Sequence, residues 1–285
     1  MRSTILLIIF CLALTMVFAV SADAQDPTPQ SQERNIAEEQ LFYDKLLAID
    51  PAAVPIFQQA TADMDNNDLE GARRGYEQVL QMAPEFPDAL RRLSYVDVRQ
   101  GNVDAGIQHA RQALAAEDAP LNHQALAEAL LATEDPALAW EALNHARVAV
   151  TALPDDAGAN LVLLIAGAYT EDIEAIRQAD RTLLRLAPEL PAAHYFAAML
   201  AADEMRWEAA ERELLLAQDL GGPAEEIQRA LDAGIRTNAM FFRWERRALL
   251  AIGVWLIGLL LLFLAGAKWR YTLPILKPFA SALFD

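Results

Sequence analysis

Cysteine is almost absent. Cys11 is the only one in 285 residues, and it lies inside the first apolar block. A lipoprotein signal would need small residues just ahead of that cysteine, where the chain has Ile9 and Phe10, so lipidation is not expected. With that block removed no thiol remains, which excludes disulfides and thiolate chemistry. Histidine is scarce too: His109, His123, His145 and His194 never fall at the i, i+4 spacing that sets two ligands on one helix face. They read as ordinary repeat-surface side chains, and no metal is expected. There is no phosphate-cradling glycine loop, no nucleophile elbow and no isolated acid pair in an apolar run. The carboxylates read as solvated helix faces, so the chain reads as a non-enzyme without cofactors. Asp63, Asp65 and Asn67 begin like a calcium loop, but Asp68 and Arg74 stand where that loop needs glycine and glutamate. An inter-helix turn suits this stretch better.

Basic charge is also short, and unevenly so. Residues 25–235 hold 15 Lys+Arg against 37 Asp+Glu, a net of −22, whereas 236–285 carry a net of +5. An acidic body argues against nucleic acid, which wants a basic face. It also stands off anionic lipid, except at its basic collar. Long apolar runs are confined to the two ends. Ile5 to Val20 follows Arg2 and precedes Ser21-Ala22-Asp23-Ala24, the layout of a secretory signal peptide over residues 1–24. An uncleaved anchor helix is the alternative reading of that block. Residues 248–267 contain no charge, and at about 1.5 Å per residue they span roughly 30 Å, the thickness of a bilayer's hydrocarbon core. Phe241, Phe242 and Trp244 flank one side and Trp269 and Tyr271 the other, as interfacial aromatics do. Cleaved or retained, the first block leaves the body outside and the C-terminus in the cytoplasm. The arginines and lysines around the span do not discriminate.

The middle of the chain is built on a period. Residues 66–84, NNDLEGARRGYEQVLQMAP, run from a polar turn into a helix with Ala72, Tyr76, Val79 and Leu80 on one face, closed by Pro84. Closures at Pro51, Pro84, Pro120, Pro154, Pro188 and Pro223 step by 33, 36, 34, 34 and 35 residues. Five helix pairs follow, at about 53–84, 87–119, 122–154, 157–188 and 191–221. Each exposes apolar residues on both sides and needs stacked neighbours to bury them. A polar, proline-bearing leader (25–35) precedes them. The helix over 36–49 reads as the second half of a repeat, acting as a terminal cap. Ala224 to Leu231 reads as a closing helix, Asp232-Ala233-Gly234 as a break, and Ala239 as the start of a helix running into the span.

These residues resemble the tetratricopeptide repeat family. Ala72, Tyr76 and Pro84 match its small, aromatic and proline positions, and Ala142, Ala146, Ala149 and Pro154 match in part. Gly106 stands where alanine is usual, Asp118 where a closing proline would fall, and Ile176 and Asp180 depart in the fourth unit. The expected fold is all-α: a tetratricopeptide-type solenoid of about five repeats over 36–232, a juxtamembrane segment (233–247), one transmembrane helix (248–267) and a short tail (268–285). The resemblance implies a groove lined by the first helix of each pair. Its facing positions would be Phe57, Arg91, Tyr95, Leu131, Tyr195 and Met199. The lysine, asparagine and arginine clamp by which chaperone adaptors of this family grip a carboxylate is absent, Phe57 and Thr61 holding its first two places. Arg73, Arg74, Arg91, Arg92 and Arg99 make a basic island in the acidic body, to be either paired with nearby carboxylates or used for binding. The expected role is a membrane-tethered extracytoplasmic scaffold that binds protein or peptide partners and touches lipid through its single span, with no small-molecule substrate. A non-catalytic accessory subunit of an envelope enzyme, assembly or secretion complex is the alternative. A signalling receptor suits an 18-residue tail poorly.

Overall fold

The computed structural model describes residues 36–272, so the expected signal peptide, the leader and most of the tail lie outside the described residues. The helices run α1 (Ile36–Ile49), α2 (Ala53–Asp65), α3 (Leu69–Met82), α4 (Pro87–Arg99), α5 (Val103–Ala116), α6 (Pro120–Leu131) and α7 (Pro136–Ala152). They continue with α8 (Ala157–Tyr169), α9 (Ile173–Leu186), α10 (Pro191–Asp203), α11 (Trp207–Asp219), α12 (Ala224–Ala230) and α13 (Arg236–Thr272). Helices α2 to α11 form five antiparallel pairs, each stacked on the next.

The ends of these helices follow from short-range chemistry. Asp68, Asp156 and Asp172 each accept the backbone N–H three residues on, and Asp135 accepts that of Ala137. Proline fills the first position of α4, α6, α7 and α10, where its missing N–H costs nothing. Pro120, expected to close a unit, therefore opens α6. Inside each pair the turn carries one left-handed residue: Asn67, Gly101, Glu134, Glu171 and Met205. At four of these turns the residue after the left-handed one donates its N–H five residues back, as in Asp68 to Asp63 and Arg206 to Ala201. Only one of the five is glycine.

Small residues set the spacing of the stack. At Gly106 a Cβ would lie 2.7 Å from Val98 and 3.0 Å from the Ser94 carbonyl oxygen, so glycine replaces the usual alanine where α5 meets α4. Two apolar cores result. The first joins Phe42 and Leu46 of α1 to Phe57, Tyr76, Phe86 and Leu93. Phe57 is its centre, with the rings of Phe86, Tyr76 and Tyr43 at 5.5, 5.6 and 6.0 Å. The second runs from Ile107 to Ile235 and is largely alanine and leucine.

Both ends of the stack depart from expectation. A second helix of a preceding pair would pack on α2 alone, since stacked repeats meet only their neighbours. Helix α1 instead crosses α2 and reaches α4: Tyr43 meets Phe57, Glu39 pairs with Arg92, and Phe42 lies under the guanidinium groups of Arg91 and Arg92. At the other end the break lies where expected, at Asp232-Ala233-Gly234 within Leu231–Ile235, with Gly234 at φ 127°, but the final helix begins at Arg236 rather than Ala239. That helix is long and apolar enough to cross a membrane, and none of its most apolar stretch is buried. Its first turns stay on the solenoid. Arg243 pairs with Glu211, and Arg246 Nη1 lies 3.0 Å from Glu208 Oε2, both carboxylates on α11.

Candidate protein-binding groove

Register defines the groove side. The fifth residues of the first helices are Phe57, Arg91, Gln124, Leu161 and Tyr195, and the ninth residues are Thr61, Tyr95, Glu128, Ile165 and Met199. Both rows are closed at their ends and open in the middle. Phe57, Thr61, Tyr195 and Met199 are buried, whereas Arg91, Gln124, Glu128, Leu161 and Ile165 are half-buried and Tyr95 is 40% exposed.

The expected site is corrected at both ends. Phe57 is fully buried because α1 lies over it, with Arg92 stacked 5.0 Å from its ring centroid. Tyr195 is fully buried against Phe196 and beside the Glu226 and Arg229 charges of α12, and its hydroxyl has no hydrogen-bond partner. Burial pushes that phenol well above its ordinary range, with Glu226 adding to the effect. Met199, at the end of its row, is buried too, and so is Leu131, the last residue of α6, which lies in neither row. Arg91 and Tyr95 remain on the open stretch. Arg91 donates to Asp88 at 3.0 Å and keeps its Nε buried without a partner, while Tyr95 accepts from Arg99 at 2.7 Å.

The basic island is largely neutralised. Arg73 pairs with Asp97 and Glu77, Arg91 with Asp88, and Arg92 with Glu39, while Arg99 bonds Tyr95 and Asn67 instead of a carboxylate. Arg92 is the strongest of these anchors: it also donates to the Thr61 hydroxyl at 2.9 Å. Burial lowers its pKa, but Tyr76 and Glu39 beside it raise it further, so the group stays charged.

The open stretch has a polar and an apolar half. Gln124 donates to Glu128 at 2.9 Å, and Gly158 leaves room for that amide, since a Cβ there would lie 2.9 Å from its nitrogen. Burial pushes the Glu128 carboxyl up, Gln124 and Arg91 pull it down, and Asp156 adds to the rise. Leu161 and Ile165 of α8 supply the apolar half. Tyr169, at its edge, has a buried hydroxyl without a partner, pushed up to about 12 by burial and by Glu134.

Solved structures share this architecture. The tetratricopeptide protein MamA, solved as the RS-1 ArsTM double mutant, is 17% identical, with 60% of this chain and 96% of that chain covered at a TM-score of 0.50. PilF of Pseudomonas aeruginosa is 18% identical, covering 71% and 93% at a TM-score of 0.54. The fold is tetratricopeptide-type. No family model and no curated protein matches the chain.

Sequence reasoning missed four residues of the open stretch. Gln124, Glu128, Leu161 and Ile165 could have been found by carrying the fifth and ninth positions of each first helix along the period. Glu39 and Phe42 could not, because nothing in their own helix says which side of the stack it takes. The histidines also differ from expectation. His123 and His145 face each other with their Nδ1 atoms 2.7 Å apart, and burial with the neighbouring His123 pulls His145 down. His194 is buried between Glu213 at 2.8 Å and the Pro188 carbonyl oxygen at 2.7 Å.

Proposed function

We propose that this protein is a membrane-tethered scaffold that holds a segment of a partner protein in the open stretch across α4, α6 and α8. One observation carries the reading: two register rows are closed at both ends and open only between Arg91 and Ile165. A segment lying there meets Tyr95, Arg99 and Glu128 on one flank and Leu161 and Ile165 on the other, an anchor-and-rim composition that suits protein partners. A pull-down tests it: Tyr95→Ala with Ile165→Glu lowers partner capture at least tenfold, and unchanged capture contradicts the reading.

The body lies on the extracytoplasmic side of the cell membrane, with the C-terminus in the cytoplasm. Two features support this, the signal-like block at 1–24 and the uncharged run at 248–267. The protein does no chemistry of its own. Protease added to spheroplasts digests the body while leaving a membrane-protected fragment; a body left intact contradicts the topology. The second reading, an accessory subunit of an envelope complex, is favoured by the way α13 is clamped. The pairs of Arg243 and Arg246 with α11 begin within a few residues of the apolar run, so the stack is fixed to its anchor instead of swinging on a linker. Co-purification in mild detergent separates the readings: a stoichiometric membrane complex supports the subunit, transient soluble clients the scaffold.

A further inference from the structure

We propose that α1 is a resident ligand of the groove, and that an acidic amphipathic helix from a partner takes its place. This rests on the scaffold reading and names the partner's chemistry. Helix α1 sits on the fifth-residue row, at Phe57 and Arg91, and on the neighbouring Arg92, one step nearer the N-terminus than the open stretch. Its contacts fall at i, i+3, i+4 and i+7: Glu39 on Arg92, Phe42 under Arg91 and Arg92, Tyr43 on Phe57, and Leu46 fully buried. This is the anchor spacing of a helix laid in a groove.

Its outer face gives independent support. A helix that merely caps a solenoid presents a polar outer face. Helix α1 instead leaves Leu41, Leu47 and Ile49 exposed at 61%, 52% and 58%. Beyond that seat Lys45 pairs with Glu117 at 2.9 Å, where both side chains are well exposed, so this pair holds little. The linker back to α2 is Asp50-Pro51-Ala52.

Charge decides what can replace it. The Arg92 guanidinium is buried, and leaving it without a carboxylate is costly. An incoming helix must therefore bring an acid in the place of Glu39, followed at three and seven residues by an aromatic and a leucine. An apolar helix without the acid is rejected by the unpaired arginine.

The probe is a fluorescent peptide with the sequence of residues 36–49, added to the full chain in nanodiscs. It binds at least tenfold more tightly to a Phe42→Ala, Leu46→Ala chain, whose own helix is loosened, than to the unaltered chain. A peptide carrying Glu39→Lys loses that gain. In the unaltered chain, saturating peptide lowers the hydrogen-exchange protection of α1 at least tenfold while α6 and α8 keep theirs. Equal binding to both chains, or α1 protection unmoved by saturating peptide, overturns the proposal. Either failure leaves the scaffold reading to its own test, because partner capture through Tyr95 and Ile165 is measured without the peptide.

Discussion

The two closed ends of the groove are built from different materials. At the N-terminal end the cover is held by rings and an ion pair: Phe57 among Tyr43, Tyr76 and Phe86, with Arg92 bonded to Glu39. At the C-terminal end the cover belongs to the larger core, whereas α1 adds Phe42 and Leu46 to the smaller one. Ile227, Ala230, Leu231 and Ile235 continue the alanine-leucine packing of α10 and α11 without interruption. A cover continuous with the larger core leaves only when the stack unfolds. One seated by a few large, polar-anchored side chains can leave alone, since stability within a fold is local.

Substitutions separate the two ends, beginning with the largest effect. Phe57→Ala removes three ring contacts and the seat of α1, and lowers stability by about 3–5 kcal/mol in thermal or urea unfolding. If the ends were alike, emptying Tyr195 of its hydroxyl would also cost; instead Tyr195→Phe removes a buried, unpartnered group and is neutral or stabilises by up to about 1 kcal/mol.

The C-terminal half also carries a pH dependence of its own. Burial pushes the Asp180 carboxyl up to about 7, with Glu213 adding to the rise and His194 opposing it. The folded protein therefore keeps a proton that the unfolded chain loses near pH 4. The sign follows: stability contributed by this group is complete below that point and falls as pH rises towards 7. Asp180→Asn flattens that fall, which amounts to a few kcal/mol by order of magnitude across the window. Urea midpoints at pH 5 and pH 8 check it.

The turns supply a smaller test. Glu134, Glu171 and Met205 take positive φ without being glycine. Each changed to glycine gains about 0.5–1 kcal/mol, read as a rise in melting temperature, whereas Gly101→Ala loses a similar amount. Smallest of all is the tie between α11 and α13. Arg246→Ala breaks an exposed pair and changes stability by less than about 1 kcal/mol, yet it loosens the stack on α13, which spin labels on α11 and α13 report as a broadened distance.

Much of the fold is legible in the sequence because repetition makes it so. The 34-residue period, the paired helices and the apolar run at 248–267 follow from spacing and composition alone. The turns at Asn67 and at Met205, within 203–207, could be read from the sequence, but the left-handed residues at Glu134 and Met205 could not: they are imposed by the meeting of two packed helices. The site was half legible. Arg91 and Tyr95 lie on the open stretch as expected from register. Phe57 and Tyr195 have the same register and are nevertheless buried, because covering depends on α1 and α12, whose placement is a matter of tertiary packing. Arg92 was visible only as part of a basic cluster, since the acid that balances it is 53 residues away.

The central claim is that partners enter through the open stretch between α4 and α8. A photoreactive amino acid at Tyr95, compared in intact cells with one at Trp140, which is 55% exposed on the second helix α7, tests it most directly. The account predicts a discrete crosslinked partner from position 95 that is lost with Ile165→Glu, and none from position 140. A partner captured from position 140 and not from position 95 would contradict it.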